Sequence, residues 1–184
     1  MQGSFLGFRK ALTNYRDRLY SNNGHDFQDA GERFDREGAL RWARACAYHL
    51  RGWLPEHKET RILDLACGAG KLLFFFSQRG GHDLAGADIS PVQVALARQV
   101  TPNVKRESVL DHLESNPASY DVIKGYEIVE HFYKDEVLRF LDGCLSALQP
   151  GGSLILQTSN ADSPWGAQFD TATLLTKFVS VRTH

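Results

Sequence analysis

The sequence predicts an α/β fold, a doubly wound and mostly parallel sheet with helices on both faces. Three observations lead there. From Arg61 onward, runs of β-propensity alternate with helical runs, the pattern of a parallel sheet covered on both sides. The stretch Ile62-Leu63-Asp64-Leu65-Ala66-Cys67-Gly68-Ala69-Gly70 reads as a buried strand breaking into a glycine turn that starts with a carboxylate. Finally, Gly68, Asp88, Ser108 and Tyr126 each follow the end of an expected strand, where ligands of such sheets bind.

In chain order, residues 1–35 are polar and aromatic, with Tyr15, Tyr20, Phe27 and Asn22-Asn23-Gly24 marking turns, and read as a lid or cap. Phe34 to Trp53 places Leu40, Ala43, Ala47 and Leu50 at helical spacing with arginines on other faces, an amphipathic helix that Pro55 ends. Strands are expected at Arg61 to Leu65, His82 to Ala87, Val104 to Glu107, Tyr120 to Gly125 and Ser153 to Thr158. Helices are expected at Lys71 to Arg79, Val92 to Val100 and Asp135 to Leu148, the second opened by Ser90-Pro91 as N-cap and first helical residue. Pro150-Gly151 stops the last helix. Residues 36–169 thus form one domain, and 170–184 an irregular tail.

Composition narrows the function. The 184 residues carry 21 Lys plus Arg against 22 Asp plus Glu, a formal net charge of −1, which argues against nucleic acid as an obligate partner. Cys46, Cys67 and Cys144 have no metal-ligand spacing, so no metal is expected, and three thiols cannot all pair. Neither a signal-peptide core nor a membrane span is legible, and a reducing, cytoplasmic setting is expected.

The turn itself selects a ligand. Dinucleotide sites use G-x-G-x-x-G to hold a pyrophosphate at a helix amino end, but Leu73 stands where the third glycine would be, and Asp64 aims negative charge at the site. This disfavours an NAD-dependent oxidoreductase. A ligand bearing an ammonium and a sulfonium fits better.

Here the chain resembles the class I S-adenosylmethionine-dependent methyltransferases, whose first motif is an acid, a hydrophobe and a G-x-G-x-G turn. Ala66 replaces the first glycine, which a backbone of negative φ would tolerate. Leu84-Ala85-Gly86-Ala87-Asp88, Tyr120 to His131 with its E-x-x-E-H end, and Leu148-Gln149-Pro150-Gly151-Gly152 through Thr158 resemble later motifs of the family in the required order. The resemblance implies a Rossmann-like methyltransferase fold, S-adenosyl-L-methionine as cofactor and a small-molecule acceptor with an oxygen or nitrogen nucleophile.

By that resemblance Asp64 meets the cofactor's amino-acid part, Ala66, Cys67, Gly68 and Gly70 offer backbone, and Asp88 holds the ribose about 20 residues on. Ile89 flanks the adenine, Ser108 and Val109 lie at its amino edge, and Tyr126 lines the methyl-donor pocket. His131 is the expected catalytic residue, an imidazole that removes the acceptor's proton. Against it stands capping of the next helix or pairing with Glu130.

Past Phe169 the resemblance fails, whereas the family continues through another helix and an antiparallel pair of strands. Asp170 to Lys177 can be back-translated so that a shifted frame spells YGDLTHE, which looks like the family's own continuation. A single-base deletion near Phe169, loss of the last strands and an exposed fifth strand are therefore expected, with a noncatalytic cofactor-binding module or pseudoenzyme as the rival function.

Overall fold

The computed structural model describes residues 32–53, 59–80, 83–158 and 177–182. The lid tyrosines Tyr15 and Tyr20, Pro55, the loop after Thr158 and the frame-shift position near Phe169 lie outside the described residues.

Helix α1 (Arg36–His49) is followed by β1 (Arg61–Leu65), α2 (Lys71–Ser77), β2 (Asp83–Asp88), α3 (Pro91–Ala97), β3 (Val104–Arg106) and α4 (Val109–Ser115). Then come β4 (Tyr120–Tyr126), a 3-10 turn (Val129–His131), α5 (Lys134–Ala147), β5 (Leu148–Thr158) and β6 (Lys177–Arg182). The sheet order is β3-β2-β1-β4-β5-β6. β1 to β5 run parallel, so the chain winds outward from β1 to β3, then crosses to β4 and continues the other way. Strand order reverses between β1 and β4, and the crevice outside their carboxyl ends is where such sheets take ligands.

Alternation along the strands divides the core in two. Ile62, Leu84, Val122 and Ile155 face α1, α2 and α3, where Leu50, Leu73, Phe75 and Phe76 complete the packing. Leu63, Leu65, Ile123 and Leu154 face α4 and α5 through Leu113, Phe140 and Cys144. Helix α2 buries every residue from Leu72 to Phe76, an all-round apolar helix held between the sheet and α1.

Several expectations change. Leu40 is 44% exposed, and the buried stripe of α1 is Ala39, Cys46 and Leu50 with Trp42, Ala43 and Ala47 beside it. The helices at Lys71 and Pro91 are shorter than expected, each ending where its buried stripe ends. Helix α4 has no counterpart among the helices the sequence predicts. It is nucleated by Ser108, whose Oγ accepts from the Asp111 N–H at 3.2 Å.

The tail is not irregular throughout. Lys177–Arg182 forms β6, antiparallel to β5 from Thr158↔Lys177 to Ser153↔Arg182, so β5 is not an exposed edge. Backbone pairing outweighs the absence of a recognisable motif there, because an unpaired row of N–H and C=O groups on β5 is a template for any extended segment.

Candidate functional site

The turn after β1 is tightly coiled. Ala66 lies at φ +54°, Gly68 at +51° and Gly70 at +85°. Ala66 does not have the negative φ at which the extra methyl would be tolerated freely: the methyl is carried in the left-handed region, a strain of about 1–2 kcal/mol. Such strain persists only where surroundings over-determine the backbone, and they do here. The Cys67 N–H donates to Ala87 O at 3.1 Å, tying the turn to β2, and a Cβ on Gly70 would lie 3.0 Å from Ala97 Cα on α3. Cys67 is buried, and burial together with Asp64 and Asp88 pushes its thiol well above the usual range. Its sulfur sits against Gly86, where a Cβ would come within 3.0 Å of Sγ.

Asp88 organises the second half of the turn. Its Oδ2 accepts from the Gly68 N–H at 2.9 Å and its Oδ1 from the Ser90 N–H at 2.8 Å. An ionised carboxylate has roughly four acceptor directions, so the Gly68 and Ser90 contacts do not exhaust it. Burial raises the Asp88 pKa, opposed by these backbone hydrogen bonds. Ser90 caps α3, its Oγ accepting from Gln93 N–H at 3.4 Å, and Ile89 is half-buried beside it. Ser108 spends its hydroxyl on the α4 cap, and Val109 is the first, half-buried residue of that helix.

Asp64 is 2% exposed, and burial drives its pKa up while Lys124 opposes the rise. Lys124 is its register partner on β4 and is itself 0% exposed. Burial lowers the Lys124 pKa, with Asp64 pulling the other way. The Lys124 Nζ lies 4.3 Å from the centre of the Tyr126 ring and has no hydrogen-bond partner among the described residues. Trp42 of α1 closes on Tyr126 edge to face at 5.8 Å, roofing this corner.

Beyond β4 the chain turns sharply at Glu127, φ +49°. The Thr158 Oγ1 donates to Glu130 Oε2 at 3.1 Å, fastening the Val129–His131 turn to the end of β5. His131 is exposed on that turn. Burial and the charge of Glu130 raise the Glu127 pKa, while His131 lowers it. These three groups therefore form one electrostatic cluster beside the strand ends.

Thus Asp64, Cys67, Gly68, Gly70, Asp88 and Tyr126 gather at the ends of β1, β2 and β4, and His131 stands one turn away. Sequence reasoning missed Lys124, Trp42 and Cys46. The available signal was a lysine inside the strand run Tyr120 to Tyr126, where every second side chain must face the core.

Comparison with known proteins agrees with this fold. A methyltransferase-domain family model matches residues 62–152. The ubiquinone biosynthesis O-methyltransferase of Xanthomonas campestris pv. campestris is 34% identical over 107 residues, covering 55% of this chain and 44% of that protein. The protein of the same name from Pectobacterium carotovorum is 30% identical over 144 residues, covering 72% and 59%. The chain thus spans about half the length of these curated relatives. A SAM-dependent methyltransferase from Archaeoglobus fulgidus superposes with a TM-score of 0.57 at 24% identity, over 66% of this chain and 55% of that one. A Haemonchus contortus phosphoethanolamine N-methyltransferase solved with S-adenosylhomocysteine gives 0.63 at 16%, over 89% and 34%, a likeness of fold alone.

Residues 62–152 belong to the methyltransferase-domain family, on the fold that S-adenosylmethionine-dependent methyltransferases share. Its residues fit that cofactor. The donor set is two acids at adjacent strand ends, a turn with bare glycine backbone, and an aromatic ring at Tyr126, which suits a cationic amino-acid nucleoside.

Proposed function

We propose that this chain binds S-adenosyl-L-methionine at the carboxyl ends of β1 and β2 and directs its methyl group to an oxygen or nitrogen of a small-molecule acceptor. When bound, the cofactor supplies an electrophilic sulfonium methyl. The protein's part is placement and proton handling. Asp88 is held at the end of β2 by the backbone N–H groups of Gly68 and Ser90; that clamp is the observation on which the reading rests. Asp64 faces the ammonium, Tyr126 borders the methyl, and Gly68 and Gly70 give backbone access. Ala66, Cys67, Ile89, Ser108 and Val109 complete the proposed contacts.

His131 takes the acceptor's proton. Support comes from its position on a turn anchored to β5 through Glu130 and Thr158, with Glu127 close enough to feel its charge. A held base at the rim contributes about 10²–10⁴-fold to rate, and alignment of acceptor and methyl supplies much of the remainder. The relatives' names favour an oxygen acceptor. Turnover is measured with the full chain, labelled cofactor and a panel of phenols, catechols, amines and sugars. Labelled product from a hydroxylated member supports the reading; cofactor binding without transfer to any member leaves a noncatalytic module. Among the described residues no helix is long and apolar enough to cross a membrane.

A further inference from the structure

We propose that Lys124 is the binding partner of the α-carboxylate on the cofactor's methionine portion, completing with Asp64 a paired-charge socket for the amino-acid zwitterion. The inference rests on the cofactor reading above and extends it to a residue outside the motifs.

Four observations carry it. Lys124 is fully buried, yet its Nζ has no hydrogen-bond partner among the described residues, one of the costliest arrangements a protein can hold unless a ligand completes it. It sits opposite Asp64 in the β1–β4 register, so both side chains emerge on one face from backbones about 4.8 Å apart. This pair stands where the strand order reverses, the crevice that takes ligands in such sheets. Last, the Nζ lies against Tyr126, the final residue of β4, so the lysine stem runs up the strand toward the site.

Charge complementarity then fixes the ligand group. The groups facing Lys124 are Asp64 from β1, the Cys46 thiol from α1, whose pKa burial holds at about 11, and the Tyr126 ring of its own strand. Asp88 acts on Asp64, and Arg79 on Cys46, at one remove. An ammonium arriving at Asp64 leaves the lysine as the cation without a counter-charge. The carboxylate on the same carbon supplies it. Without Lys124 the charge acting on Asp64 is that of Asp88, which repels a carboxylate.

The test is calorimetric titration of the full chain and of Lys124→Met with S-adenosylhomocysteine and with 5′-methylthioadenosine, which keeps the nucleoside and sulfur but has no amino acid. Methionine retains the stem and removes the charge. The expected result is a loss of about 10- to 100-fold for S-adenosylhomocysteine, with 5′-methylthioadenosine unchanged. Equal or tighter S-adenosylhomocysteine binding by the variant overturns the inference, as does an equal loss for both ligands, which would assign Lys124 to holding the pocket together. Wild-type protein that binds neither nucleoside overturns the cofactor reading and this inference with it.

Discussion

Replacing Gly70 by alanine separates torsional strain from crowding at the ligand turn. Gly70 is the N-cap of α2 at φ +85°, and an added Cβ would sit 3.0 Å from Ala97 Cα and 3.1 Å from Ala97 Cβ. Backbone cannot move aside as a side-chain tip can, so α2 and α3 must part. The left-handed torsion costs about 1–2 kcal/mol, overpacking about 1–3 kcal/mol, and the stiffer unfolded chain returns about 0.4–1 kcal/mol. Mid-range values give a net loss of about 3 kcal/mol, a fall in Tm of about 6–12 °C for a domain of this size. Gly80→Ala is the control: its φ is +73° but nothing lies within 4 Å, leaving the torsion alone and a loss of about 1 kcal/mol. Thermal denaturation followed by circular dichroism reads both. Equal Tm values for the two variants would falsify the close approach of the turn to α3.

Ala66→Gly should move the other way, gaining about 0.5–1 kcal/mol by relieving φ +54°, read as a higher Tm. His131→Ala should lower kcat by about 10²–10⁴-fold while leaving S-adenosylhomocysteine affinity unchanged; a matching loss of affinity would make it a structural residue. Affinity for S-adenosylhomocysteine should fall on acidification well above the ordinary carboxylate range of about 4, because burial raises the pKa of Asp64 and only its ionised form meets the ammonium. His112 gives a separate pH signature. Its Nδ1–H donates to Glu107 Oε1 at 2.6 Å, its Nε2 accepts from Tyr120 Oη at 2.8 Å, and burial lowers its pKa below 6.5. The folded state thus binds fewer protons than the unfolded, so its contribution to stability is present above pH 6.5 and is lost as pH falls through the lowered pKa; Tm against pH should show this, and His112→Gln should flatten it.

Much of the site could be read from the sequence because its logic is local. A glycine turn after a strand and an acid about 20 residues on are set by backbone reach, and Gly68 and Asp88 meet across a 2.9 Å hydrogen bond. Ser90-Pro91 announced α3 for the same reason. What escaped depends on distant cover. Around Lys124, α1 brings Trp42 onto Tyr126 and Cys46 near the lysine, and one strand's sequence cannot say what roofs it. Leu40 misled because it lies at the margin of a stripe that Ala39, Cys46 and Leu50 define. The torsion of Ala66 could not be read from its own residue type, because the ties of Cys67 to β2 and of Gly68 to Asp88 hold it in the left-handed region. β6 escaped because pairing with β5 is a long-range contact with no local motif.

Calorimetric comparison of the wild-type chain with Asp88→Ala, each titrated with S-adenosylhomocysteine and with NAD, tests the central assignment most directly. The assignment requires one-to-one binding of S-adenosylhomocysteine by the wild type, weakened at least about ten-fold once the Asp88 carboxylate is gone, and no binding of NAD. An unchanged isotherm in the variant, or saturable NAD binding in place of the homocysteine nucleoside, would contradict it.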